Sequence, residues 1–307
     1  MKKYLALLLC MAMLMSLAAC GGSETPAPTT ATTPATVPTP VTDAPTDAPT
    51  QPPAPPVQMT ETVLVNNDQA TFTIKKAETS DHTAMQLQVQ CVNKSDRALM
   101  FSWDMVSVCG YMYDPFWAEE VAAGKTANST VYLDTYELEE MGIHAVDEIS
   151  FTLRIVDSEN WMEEPIVQQA FTIYPTGLNA ETVQLPQRTP TAGQVVVADD
   201  ENVRFIIEKA EESSAGYVLS VYMENKTDRN LMYTWDMVSV NDMMVDPFWS
   251  TVVPAGKKAC ATVNFFRSEL ADNGITNVKN IEFTLLVSDY DDWEGGNLLE
   301  TGFVYRP

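Results

Sequence analysis

The chain has 307 residues, with 42 acidic against 18 basic side chains, a formal charge of −24 at pH 7, 45% hydrophobic residues and 5 cysteines. A chain this acidic, with no basic patch, is repelled by phosphate backbones, so composition excludes nucleic acid as a partner. The acidity suits solubility on a cell surface, with attraction for divalent or basic ligands as the sharper alternative.

Residues 1–19 open with Lys2 and Lys3, continue as an apolar run to about Leu17, and end in Leu17-Ala18-Ala19 before Cys20. The run reads as a secretory leader, too short and too near the start for a permanent membrane span. Its ending resembles the lipobox of bacterial prolipoproteins. That resemblance implies cleavage before Cys20 and a diacylglyceryl thioether on its sulfur, which holds a protein on a bilayer stably. Without the leader the formal charge is −26, from 16 basic and 42 acidic residues.

Residues 20–58 are a Pro/Thr/Ala-rich segment with no aromatic residue, and 11 of the 19 prolines fall between Gly21 and Pro56. Too little apolar surface is present to offset the entropy of ordering, so the segment is expected to be a disordered, partly polyproline II stalk. At about 3.1 Å per residue its reach approaches ~100 Å.

The remainder is a tandem repeat. "NKSDRALMFSWDMVSV" from Asn93 returns as "NKTDRNLMYTWDMVSV" from Asn225, and Met85–Pro175 aligns with Tyr217–Pro307 without a gap, with 39 of 91 positions identical. Two domains follow, residues 59–176 and 193–307, joined by a polar linker at 177–192 that is long enough to permit independent orientation. Each copy shows seven or eight short segments rich in β-branched and aromatic residues with period-two alternation, "ATFTIKKAE", "MQLQVQCVN" and "EISFTLRIVD" among them. This predicts an all-β fold, an antiparallel β-sandwich in each copy. One helical turn is expected before Gly142 and again at "SELADNG", where Ser268 offers an N-cap hydroxyl and Gly274 a stop.

The "NKSDRAL" strand exit, the Asp-Pro-Phe-Trp turn and the late "IEFTLLVSD" strand resemble the immunoglobulin-like domains of bacterial lipoproteins. More distantly they are similar to the fold of secreted mycobacterial immunoprotective antigens. The resemblance implies two tandem immunoglobulin-like antiparallel β-sandwiches and no catalytic residues to carry over.

All six tryptophans fall in matched pairs. Trp103 and Trp235 share strand parity with apolar neighbours, Leu99, Phe101 and Met105 in the first copy, and are expected in the core. Trp117 and Trp249 end the Asp-Pro-Phe-Trp turns, and with Phe116 and Phe248 they are candidate stacking platforms for sugar or peptide, or else covers for the end of a sandwich. Trp161 and Trp293 lie in acidic loops and join the same candidate set. Those loops also collect oxygen donors. Asp289, Asp291 and Asp292 are candidate Ca²⁺ ligands, though the spacing is not that of an EF-hand and a solvated acidic loop is the favoured account. No other cofactor is expected.

No cysteine is matched between the copies, so the fold cannot rest on an internal disulfide. Cys91 reads as a buried hydrophobe and Cys109 and Cys260 as exposed positions, and no zinc spacing is present. His82 and His144 occur in one copy alone. Asp104 and Asp114, with Asp236 and Asp246, are the nearest approach to paired acids, yet an Asp before Pro is a common turn former. No nucleophile, base and oxyanion donor assemble from these residues, so the expectation is no enzyme. The sequence thus reads as a lipid-anchored lipoprotein on the extracytoplasmic face of a cell membrane. It would act as a non-catalytic binding or adhesion module, with recognition of cell-wall or extracellular glycan through the loop tryptophans, or a role as structural subunit or spacer of a surface complex, as the alternatives.

Overall fold

A computed structural model describes residues 56–80, 83–292 and 294–307, which lie within one compact unit, Pro52–Pro307. The leader, Cys20, most of the stalk, His82 and Trp293 lie outside the described residues. The first copy runs β1 (Thr62–Asn66), β2 (Ala70–Ser80), β3 (Thr83–Asn93), β4 (Leu99–Val108), β5 (Tyr111–Met112), β6 (Ala118–Val121), β7 (Thr126–Leu133), α1 (Thr135–Glu140), β8 (Ile149–Asp157) and β9 (Val167–Ile173). The second repeats that order as β10 (Val195–Asp199), β11 (Val203–Glu212), β12 (Gly216–Asn225), β13 (Leu231–Val240), β14 (Met243–Met244), β15 (Ser250–Val253), β16 (Lys258–Phe266), α2 (Arg267–Asp272), β17 (Ile281–Asp289) and β18 (Asn297–Tyr305). The all-β expectation holds.

In copy one, β1-β2-β3-β7 form one sheet, while β6 and β5 flank β4, which continues into β8 and β9. Copy two sets β10-β11-β12-β16 against β13-β17-β18 in the same way, with β14 and β15 beside β13. Alternation drives this arrangement. Met85, Leu87, Val89 and Cys91 of β3 point inward and are buried together with Phe72, Phe101, Trp103 and Phe151. Each such side chain contributes about 1.5–3 kcal/mol on burial. On the core face of one sheet, the Trp103 ring of β4 stacks on Phe151 of the neighbouring β8 with centroids 3.8 Å apart, and Trp235 repeats this on Phe283 at 3.8 Å.

Register shifts recur at matched places in both copies, and one of them moves a residue that alternation assigns to the core. The β4–β8 register shifts between Asp104 and Ser107, where Met105 adopts φ 53°, and β13–β17 shifts between Asp236 and Ser239 around Met237 at φ 51°. The bulge inserts one residue and turns Met105 off the core row, so Val106 and Val108 are buried instead. Met105 therefore does not share the face of Leu99, Phe101 and Trp103.

The helical turns occur where expected, and Gly142 at φ 74° and Gly274 at φ 69° end them. Their starts differ. Asp134 caps α1 by accepting from the Tyr136 and Glu137 N–H groups, whereas α2 begins after Phe266 with no side-chain cap, and Ser268 lies inside the helix.

The linker does not leave the copies independent. Leu185 packs on the first core, and Arg188 pairs with Glu208 at 2.7 Å while its guanidinium lies 4.7 Å from the centroid of the Tyr222 ring. Next to it β5 runs parallel to the start of β16, with the Lys258 N–H donating to the Gly110 carbonyl at 2.9 Å, so nine strands of the two copies form a continuous sheet. Ile206 and Tyr222 of copy two belong to the core of copy one, and Met112 of copy one packs on the core of copy two. A polar linker composition misses this seam because much of it is built from side chains outside the linker, Ile206 and Glu208 of β11, Tyr222 of β12 and Met112 of β5 among them.

Candidate binding surface at the Asp-Pro-Phe-Trp turns

The motif "NKSDR" is the brace that presents the turns. Asn93 is buried, and its side-chain amide donates to the carbonyls of Arg97 at 2.7 Å and Val121 at 2.8 Å while its oxygen accepts from Ser95. Asn225 makes the same bonds to Arg229 and Val253. Arg97 then reaches Asp157 at 3.2 Å, and Arg229 reaches Asp289 at 3.3 Å. The Asp157 carboxyl is held below its ordinary range, first by the Glu159 N–H it accepts, with Asn160 and Arg97 adding to that. The identity of this stretch between copies is thus explained by loop bracing.

The turns themselves are built by their first residue. Asp114 Oδ1 accepts the Phe116 N–H at 2.8 Å, and Asp246 Oδ1 accepts the Phe248 N–H at 2.9 Å. This is the local side-chain-to-backbone bond that Asp favours in turns. It holds Phe116 and Phe248 in left-handed backbone, φ 47° in each. The two rings project into solvent, 88% and 78% exposed.

The following tryptophans behave differently from the expectation of a platform. Trp117 is only 8% exposed: it meets Trp103 and Phe72 at 5.7 and 5.9 Å, and its Nε1 donates to Ser129 at 3.1 Å. Trp249 is half-buried and packs on Trp235 and Phe205 at 5.6 and 5.9 Å. Both rings close the end of a core, so Trp117 is not a stacking surface and Trp249 offers one only in part. The exposed ring of each turn is the phenylalanine before it. Trp161 is half exposed and its carbonyl accepts from Arg154.

The acidic loop does not gather ligands. Asp289 is buried, with Oδ1 taken by the N–H groups of Asp291 and Asp292 and Oδ2 by Arg229, while Asp291 accepts from Asn230. Among the described residues no three His, Cys, Asp or Glu side chains converge on a metal position. Asp289, Asp291 and Asp292 form a braced turn.

Cys91 is buried as expected, its thiol pushed up to about 12 by desolvation. Cys109 is buried too, contrary to the sequence reading, because the β4–β5 turn folds it under Ala145, whose carbonyl accepts its Sγ at 3.4 Å. Cys260 is exposed, yet it stands in a concavity between the copies, where desolvation and then Glu208 raise its thiol to about 12. That concavity holds about 680 Å³ and is walled by Asp114, Phe116, Glu137 and Glu140 of copy one and Glu208 and Cys260 of copy two. His144 is exposed. Desolvation raises the Asp104 carboxyl, Arg154 opposing and Asp114 adding to the shift.

No protein-family model and no curated protein matches this chain. The matched pair of strained, exposed phenylalanines therefore carries the functional reading, together with the cleft that Phe116 helps to wall. The residues that sequence reasoning missed are those of the seam: Arg188, Tyr222, Lys257 and Lys258. For Tyr222 and Lys258 the signal lies in divergence between the copies, since they stand opposite Gln90 and Thr126, whereas Lys257 matches Lys125 and Arg188 lies outside the repeat.

Proposed function

We propose that this chain is a lipid-anchored surface protein, held at Cys20 on the extracytoplasmic face of a cell membrane, whose two immunoglobulin-like sandwiches form a non-catalytic binding module. The leader and its Leu-Ala-Ala-Cys ending support the anchor. Strand order supports the immunoglobulin-like reading: β2-β3-β7 lie against β6-β4-β8-β9, with a buried tryptophan on β4, the place such domains give it.

The observation that carries binding is the phenylalanine pair. A bulky residue in left-handed backbone costs on the order of 1–3 kcal/mol, and such strain persists where surrounding structure enforces it, most often at functional sites. The rings that this backbone mounts take no part in the core themselves, being 88% and 78% exposed, and the arrangement is repeated at the same turn in both copies. An exposed, rigidly mounted ring is a contact residue. Two of them on one chain raise overall affinity through effective concentration even when each contact is weak.

The test uses the soluble fragment 52–307, with retention measured on purified cell-wall sacculi and a polysaccharide panel and, in parallel, on envelope proteins. The wild-type fragment is expected to be retained, and the Phe116→Ala, Phe248→Ala double variant to lose retention with its melting temperature unchanged. Retention on glycan supports the glycan alternative, and retention on protein alone supports a protein ligand. Equal retention of wild type and double variant on every surface contradicts the reading.

A further inference from the structure

The seam between the copies joins two unlike faces of the same domain, and one face of each kind is left over. Copy one contributes its β4–β5 tip. There Tyr111 is buried against Tyr222 at 6.4 Å and under the Lys258 ammonium at 5.3 Å, Met112 packs on the second core, and Glu148 and Ser150 receive the Lys257 ammonium at 3.1 and 3.3 Å. Copy two contributes the edge formed by Lys257 and the first residues of β16. The two faces differ, so the interface is heterologous: its operator does not close on itself, and each copy keeps one unused half.

The unused halves are visible. On copy two the matching tip is β14, where Met243 and Met244 are 43% and 59% exposed and Asn280 and Glu282 take the places of Glu148 and Ser150. On copy one the matching edge is the start of β7, the outer strand of its sheet, where Lys125, the equivalent of Lys257, and Thr126, the equivalent of Lys258, are exposed. The pairing of β3 with β7 has the register of β12 with β16, Val92 opposite Thr126 as Glu224 is opposite Lys258, so the N–H of Thr126 faces outward as that of Lys258 does. An outer strand with outward amides is a template for another chain.

We propose that the protein associates head to tail with a second copy of itself, the β14 tip of one molecule seating on the β7 edge of the next. The Asp242 carbonyl would accept from the Thr126 N–H, as Gly110 does from Lys258, and Lys125 would face Glu282. The acceptor edge has Gln90 where the internal seam has Tyr222, so the contact is weaker than the seam and forms at high local concentration, which a membrane anchor supplies. This inference is independent of the phenylalanine pair, whose residues it does not use.

The experiment is sedimentation velocity on fragment 52–307 over a concentration series into the millimolar range, with two variants at exposed positions. Met244→Glu breaks the tip and leaves the edge, and Lys125→Glu breaks the edge and leaves the tip. Wild type is expected to grow beyond dimers as concentration rises, and each variant alone to remain monomeric. An equimolar mixture of the two is expected to stop at a dimer, because one intact tip meets one intact edge. A wild type that stays monomeric throughout overturns the proposal, as does association of either variant alone, or a mixture that stays monomeric while wild type associates.

Discussion

Asn93 and Asn225 each tie three chain segments through buried bonds to main-chain carbonyls. Truncating one to alanine strands two carbonyls without donors, and we expect Asn225→Ala to lower unfolding free energy by about 1–3 kcal/mol in urea titration. The Asp-Pro-Phe-Trp turn divides its labour between neighbours. Trp117 is in the core and Phe116 outside it, so Trp117→Ala is expected to cost about 3–5 kcal/mol of stability while Phe116→Ala changes it little. Equal losses in the two variants would show that the rings do not partition as described. Which of two adjacent aromatics faces inward was not legible from composition. It depends on the positive φ at Phe116, which the Asp114 bond imposes and which breaks the alternation that parity arguments use.

At the level of elements, period-two alternation located the long strands because each buries one face, and Met85 to Cys91 show it without interruption. The short strands β5, β6, β14 and β15 carry too few residues for a period to register. The bulge at Met105 was hidden for a different reason: it changes parity inside an otherwise regular apolar strand. The start of β12 has a stringent requirement of its own. Gly216 lies against β16 so closely that a Cβ would stand 2.0 Å from the Phe265 carbonyl oxygen, a backbone atom that cannot swing away. Gly216→Ala therefore forces the two strands apart and should lower the melting temperature of fragment 52–307, with a cost of about 1–3 kcal/mol. An unchanged melting temperature would mean that the β12–β16 pairing is looser than it stands.

At the scale of the whole molecule, two copies that the repeat made obvious are joined by a seam that the repeat concealed. Duplication draws attention to what the copies share, and much of the seam is made of what they do not: Tyr111 against Met243, Tyr222 against Gln90 and Lys258 against Thr126. Because Ile206 and Tyr222 belong to the first core, unfolding of one copy exposes apolar surface on the other. The wild-type fragment is accordingly expected to unfold in one transition, and Tyr111→Ala, which removes a ring buried between the copies, to separate it into two. The rigid seam is what sets Phe116 and Phe248 at a fixed spacing and leaves one tip and one edge unused, so the proposed binding and the proposed self-association both depend on it. Residual dipolar couplings measured on the fragment 52–307 decide whether the seam is rigid: couplings from both copies are expected to fit a single alignment tensor in the orientation described, and two tensors of different magnitude, one for each copy, would overturn it.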